Sequence, residues 1–204
     1  MESRTSKTRK KILEAAIEEF AQKGFSATTT LEIAQRAQVA EVTLFRHFPK
    51  KKDILHFAVL DFVDVFTGNF AFNSLKVIVD HNKHKPIKEI LKLIILDRRE
   101  FLQEYFPYIK VIFQEMQFDE EVRTIYLEKI AKQVSLLFSE LFSEIKEREK
   151  IKNIDSFILM RSFIGMAFMM IMQRYFIPSE NKFEDFDKEI DIVVDIFLNG
   201  ILDK

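Results

Sequence analysis

Thr28-Thr29-Thr30-Leu31-Glu32-Ile33-Ala34-Gln35-Arg36-Ala37-Gln38-Val39 is the stretch on which the fold turns. Thr29 followed three residues later by Glu32 is a capping box, in which each side chain satisfies a backbone N–H at a helix start. A helix is therefore predicted over about 30–37. Ala34 and Ala37 are small enough to let a following helix approach closely, and Val39 supplies an apolar peg between the two. A third short helix is predicted over about 41–48, closed by Pro49, because the residue before proline avoids helical geometry. Upstream, Leu13, Ala16, Ile17 and Phe20 recur at i, i+3, i+4 and i+7, which is one face of a helix over 8–23. Gly24 stops it. A fourth helix begins near Lys51.

Three short helices with a tight turn between the second and third form the smallest helix-turn-helix reader of DNA. Phe45 and Phe48 are expected to anchor the third helix to the first. Glu41, Val42, Thr43, Arg46 and His47 then occupy its outer faces. Val42 and the Thr43 methyl suit a thymine methyl, and Arg46 suits guanine.

Charge is divided along the chain. Residues 1–53 carry net +4 and the remainder net −5, although the 204-residue whole carries only −1. A basic N-terminal part on an acidic larger part implies that the first part meets a polyanion. Arg4, Lys7, Arg9 and Lys10 form one basic cluster, and Lys50, Lys51 and Lys52 another. The chain has no cysteine, which excludes disulfides, thiolate catalysis and Cys-ligated zinc and is compatible with a cytoplasmic location. The opening residues are too polar for a secretory signal. The longest apolar run, 163–172, is far short of the roughly 20 residues of a membrane span and reads as a buried helix.

The series Gly24–Val39, followed by Thr43-Leu44-Phe45-Arg46-His47-Phe48 and Lys51-Lys52-Asp53-Ile54-Leu55, resembles the tetracycline-repressor (TetR) family. The opening 8–16 and the ending Val193-Val194-Asp195-Ile196-Phe197-Leu198-Asn199-Gly200 are similar to it as well. The resemblance implies an all-α fold: a helix-turn-helix domain over 1–50, then an effector-binding and dimerisation domain over 51–204. It implies a homodimeric repressor released from a palindromic operator by a small ligand, with the fourth helix as lever. By the same resemblance Thr28, Thr29, His47 and Lys51 meet phosphates, and Glu41, Val42, Thr43 and Arg46 meet base edges. Four positions depart from the family pattern. Gln38 stands where glycine is usual, Ala40 replaces a serine cap, Val42 replaces a small residue and Phe45 replaces tyrosine.

Beyond residue 52, helices are expected at about 52–72, 86–105, 108–117, 120–148, 155–176 and 184–202, with 73–85 as a loop and breaks at Pro86, Pro107 and Pro178. Most of the 22 phenylalanines fall here. Core packing and a ligand cavity between the fourth and eighth helices share that pattern. Phe66, Phe70, Phe101, Tyr105, Phe113, Met116, Met169 and Gln173 are the candidate lining of a cavity for an apolar or aromatic effector. Wide stripes at Phe163, Ile164, Ala167, Phe168, Ile171, Met172 and at Ile190, Val193, Val194, Phe197, Ile201 fit an internal core or a four-helix contact with a second copy. Gly165 would allow close approach.

An enzyme is not expected. The chain has no paired Glu-x-x-His segments, no glycine-rich phosphate loop and no serine elbow, and His81-x-x-His84 is a weak metal pair. Neither cofactor nor metal is expected. A ligand-independent architectural or interaction protein of the same fold is the alternative reading.

Overall fold

The computed structural model describes residues 4–67, 71–146, 148–177 and 184–201. Its helices are α1 (Arg4–Lys23), α2 (Thr30–Arg36), α3 (Glu41–His47), α4 (Lys51–Thr67), α5 (Ala71–Asn82), α6 (Ile87–Glu115), α7 (Glu120–Ile125), α8 (Lys132–Ile145), α9 (Ser156–Tyr175) and α10 (Phe186–Ile201). A π-wound turn, Tyr126–Ala131, follows α7. No strand forms among the described residues, so the all-α expectation holds.

The chain forms two compact units that do not follow a single cut at residue 50. One comprises Met1–Gly68 with Tyr105–Ile130, the other Asn69–Glu104 with Ala131–Lys204. In the first, α1 packs on α2 and α4, α2 on α3, and α4 on α7. The predicted α1 stripe is buried: Leu13, Ala16, Ile17 and Phe20 expose almost no surface. Ile54, Leu55, Ala58, Val59 and Phe62 bury the facing side of α4. Each large aliphatic or aromatic side chain so buried contributes about 1.5–3 kcal/mol. This burial is why α4 belongs with α1–α3.

The second unit has its own core, drawn from α5, α6, α8, α9 and α10. Phe163 sits at its centre, with ring centroids 5.9 Å from Phe138 and 5.5 Å from Phe197. Phe163, Ala167, Ile171, Ile190, Val194, Phe197 and Ile201 are buried here, so most of the two predicted stripes lies in the unit's own core, while Ile164, Phe168, Met172 and Val193 are half-buried. Exposed apolar side chains remain on both helices, Phe157, Ile158 and Met169 on α9 and Ile192 and Ile196 on α10. Among the described residues beyond its own helix turn, no atom lies within 4 Å of where a Cβ of Gly165 would stand, so none of them makes a close approach there.

Three expectations are corrected. Residues 71–82 are helical, because Leu75 and Val79 recur at helix spacing and are buried, with Phe72 and Ile78 packed beside them. The polar run 80–84 that suggested a loop is only the last turn and exit of α5. Pro107 lies inside α6 and does not break it. Its fixed φ suits a helix and it forfeits one N–H bond, a loss offset by burial on the helix, at Val111 and Ile112 among others. Phe45 is 43% exposed, and Leu44 with Phe48 anchors α3 instead. Those two are four apart on one face, whereas Phe45 is turned about 100° away from Leu44. Pro178 and Phe70 lie outside the described residues.

Candidate nucleic-acid interface

The head is assembled from local signals. Thr29 caps α2: its hydroxyl accepts from the Glu32 N–H at 3.2 Å, and its own N–H donates to the Glu32 carboxylate at 2.9 Å. The capping box expected from sequence is complete. Lys23, then the Thr29 N–H and hydroxyl, hold the Glu32 carboxyl down at about 2.

α2 ends in a Schellman turn. The Val39 N–H donates to the Ala34 carbonyl at 3.0 Å and the Gln38 N–H to the Gln35 carbonyl at 3.1 Å. That closure demands a left-handed residue at position 38, and Gln38 has φ +57°. The glutamine therefore bears the strain that glycine would avoid, and the turn keeps its shape. α3 starts at Ala40 with no side-chain cap, as that residue dictates. Asp53 helps start α4, accepting from the Lys50 N–H at 2.9 Å.

Charged groups then lock α2 against α1. Glu19 is buried, and its carboxylate lies 2.6 Å from Arg36 Nε and 3.0 Å from Lys23 Nζ. Burial by itself would raise the Glu19 pKa, but Lys23 and Arg36 together lower it. Lys23 also reaches Glu32 at 2.8 Å, and Arg36 reaches Glu18 at 2.8 Å. A buried carboxylate needs such partners, because an unpaired one would be neutralised. Elsewhere in the unit, Lys110 on α6 donates to the Ala21 carbonyl at 2.5 Å. His56 on α4 bridges to Asp119 and Glu121 at the start of α7, at 2.9 and 2.8 Å.

The expected DNA residues fall into two groups. Val42 (76% exposed), Arg46 and Thr29 face solvent, with Glu41, Thr43 and His47 half-buried beside them. Thr43, Arg46 and His47 share a groove of about 550 Å³ with Thr8, Lys11 and the 37–40 turn. Glu41 is held, because the Thr30 hydroxyl donates to its carboxylate. Thr28 and Lys51 point inward. Thr28 is 1% exposed, and its hydroxyl donates to the Gly24 carbonyl at 2.9 Å, which closes the α1–α2 loop. Lys51 Nζ donates to the carbonyls of Phe25 and Thr28 at 2.7 and 2.8 Å. In the N-terminal basic cluster, the Arg9 guanidinium lies over the Phe57 ring at 4.2 Å.

Of the candidate effector residues, Phe66, Tyr105, Phe113 and Met116 belong to the first unit and Phe101, Met169 and Gln173 to the second. The Phe62 ring lies 5.9 Å from Tyr105 and stacks 5.4 Å from Tyr108, whose hydroxyl is pushed up to about 12 by burial. Met169 and Gln173 are exposed on α9, and Phe113 is 41% exposed. Sequence reading missed the Glu19–Arg36 lock and the Asp97–Arg98 pair of α6. In that pair the largely buried Arg98 also donates to the Ser74 hydroxyl at 2.7 Å and lies over the Phe101 ring at 4.9 Å. The i,i+4 spacing of Glu19 and Lys23 was the available signal for the first.

Residues 12–57 match the model of the bacterial regulatory proteins of the tetR family. The uncharacterized HTH-type transcriptional regulator YvkB of Bacillus subtilis is 48% identical over 48 residues, which make up 24% of this chain and 25% of that protein. The curated relatives are matched over about a quarter to a third of their own lengths. A Clostridium perfringens protein assigned as a fatty acid metabolism regulator superposes with a TM-score of 0.70 at 25% identity, covering 95% of this chain and all of that one. The Bacillus subtilis transcriptional regulator FadR, in complex with stearoyl-CoA, superposes with a TM-score of 0.67 at 21% identity, covering 94% and 98%.

Proposed function

We propose, from the match of residues 12–57 to the model of the tetR family of bacterial regulatory proteins, that this chain is a DNA-binding regulator of transcription of that family. The observation that carries the reading is the surface of α3. On α3, Val42 and Arg46 stand exposed, with Thr43 and His47 at their flanks. A helix of this length places such residues in the major groove, Arg46 toward guanine and Val42 toward a thymine methyl. The exposed lysines of α1, Lys7, Lys10 and Lys11, supply phosphate contacts.

The protein acts as a homodimer and a repressor. The exposed apolar side chains of α9 and α10 are what a second copy would cover, and a two-fold dimer reads a palindromic site. By length and composition α9 is also apolar enough to cross a membrane. Its buried side, from Leu159 to Ile171, packs in the core of a helical unit, and Arg161 and Arg174 interrupt it, which favours the dimer. The effector is a small apolar molecule, a reading supported by the Phe-rich interior and by the fatty-acid chemistry named for two structural relatives. Ligand and operator oppose one another through a shift between two arrangements of the dimer.

The test is selection of duplexes from a random pool by the purified protein, followed by release of the bound duplex on adding fatty acids or acyl-CoA thioesters. A selected palindrome released by one of these supports the whole reading. Selection without release by any apolar ligand removes the effector part.

A further inference from the structure

We infer that Lys51 is a positioning residue of the reading head, which sets the angle of α2, and that its ammonium does not contact the DNA backbone. The inference rests on the DNA-reading proposal and deepens it. Lys51 Nζ lies 2.7 Å from the Phe25 carbonyl, 2.8 Å from that of Thr28 and 3.4 Å from that of Ser26. It also sits 4.4 Å from the centre of the Phe25 ring. An ammonium has three N–H donors and no acceptor. The Phe25 and Thr28 carbonyls take two of them at short range, the Ser26 carbonyl faces the third at 3.4 Å, and the ring lies on a further side, so the donors are directed into the loop.

The loop requires such a cation. Gly24 at φ +83° turns the chain out of α1, and Thr28 folds back to the Gly24 carbonyl through both its N–H (3.3 Å) and its hydroxyl (2.9 Å). That fold aims the carbonyls of residues 25, 26 and 28 at one point, where their dipoles repel unless a positive charge sits among them. The next residue, Thr29, caps α2, and Thr30 ties α2 to Glu41 at the start of α3. Lys51 therefore governs where α3 stands, acting through the loop. Its neighbour Lys50 is exposed, and its ammonium has no partner among the described residues. Lys50 is thus the matched charge for comparison.

The experiment measures affinity for a duplex selected by the wild-type chain across a potassium chloride series, for Lys51→Met, Lys51→Arg and Lys50→Met. Losing a phosphate contact flattens the logarithmic salt slope by about 0.9. Lys51→Met is expected to lose affinity about tenfold at every salt concentration with its slope unchanged, as when a charged donor is withdrawn from part-buried acceptors. Lys51→Arg is expected not to restore wild-type affinity, because a planar guanidinium cannot bring one nitrogen to three carbonyls. A flattened slope in Lys51→Met, wild-type affinity in Lys51→Met, or full rescue by Lys51→Arg overturns the inference. A second measurement needs no variant: the Lys51 ammonium in 15N-lysine-labelled wild-type protein. A slowly exchanging signal that is unshifted by the duplex supports the inference, and a rapidly exchanging or DNA-shifted one overturns it. If the wild-type chain selects no duplex, the DNA-reading proposal fails, and the ammonium signal of the free protein still decides whether Lys51 holds the loop.

Discussion

The Thr30 hydroxyl donates to the Glu41 carboxylate across 2.7 Å, joining the first turn of α2 to the first turn of α3. It is the side-chain hydrogen bond that fixes a candidate base-reading residue to the supporting helix. Replacing Thr30 with valine keeps the shape and removes the donor. Stability should fall by about 1 kcal/mol, read from urea unfolding. Preference at the base pair facing Glu41 should relax, read from competition between duplexes altered there. Unchanged preference would mean that Glu41 reads no base.

Gln38 bears a left-handed backbone in the turn between α2 and α3. Gln38→Gly removes that strain, of about 1–2 kcal/mol for a residue with a Cβ, and adds some entropy to the unfolded chain. The expected net is a gain of up to about 1 kcal/mol in the urea midpoint analysis. A lower midpoint would show that the Gln38 side chain contributes more than its backbone costs.

Asp119 sets an acid limit to stability. Its side chain is 10% exposed, caps α7, and lies 2.9 Å from His56 Nε2 and 3.2 Å from Lys52 Nζ. Burial would raise its pKa, but the His56 ring, the Lys52 ammonium and the Val122 N–H together hold it down to about 2. The folded value is below the usual 3.8, so the stabilisation is complete above that pH and is lost as pH falls through about 2. It amounts to about 2 kcal/mol. Asp119→Asn should remove it at neutral pH and match wild type at pH of about 2, read from thermal unfolding across pH. Both ring nitrogens of His56 lie within 3 Å of carboxylates, Asp119 at 2.9 Å and Glu121 at 2.8 Å, so His56→Gln should destabilise this joint as well.

Ile196 on α10 is 60% exposed and Met169 on α9 is 49% exposed. Ile196→Glu is expected to sediment as a monomer at concentrations where the wild type is a dimer, and to lose operator binding while keeping its helical circular dichroism. A dimeric Ile196→Glu would place the interface elsewhere.

The reading head was legible in sequence where its signals are local. The Thr29–Glu32 box, the Gly24 stop and the α1 stripe act within a few residues, and each is found as spaced. What was missed depends on residues distant in sequence. Lys51 finds its acceptors some 25 residues earlier, and Arg36 meets Glu19 across the α1–α2 pair. Basic side chains that look alike in sequence thus divide into struts and free charges only once the loop closes. α5 was hidden because the polar run 80–84 outweighed four apolar residues at helix spacing. Pro107 misled because a proline's local cost says nothing of the burial elsewhere on its helix. The effector lining remained undivided for a related reason: a Phe in a core and a Phe at a cavity wall carry the same periodicity.

The central claim is that the exposed face of α3 reads DNA sequence, and equilibrium binding of the selected duplex against a scrambled duplex of equal length tests it most directly. The account predicts a preference of at least about 10³ at moderate salt, and a loss of about 1–3 kcal/mol in Arg46→Ala confined to one base-pair position. Equal affinity for both duplexes, with Arg46→Ala weakening both alike, would contradict it.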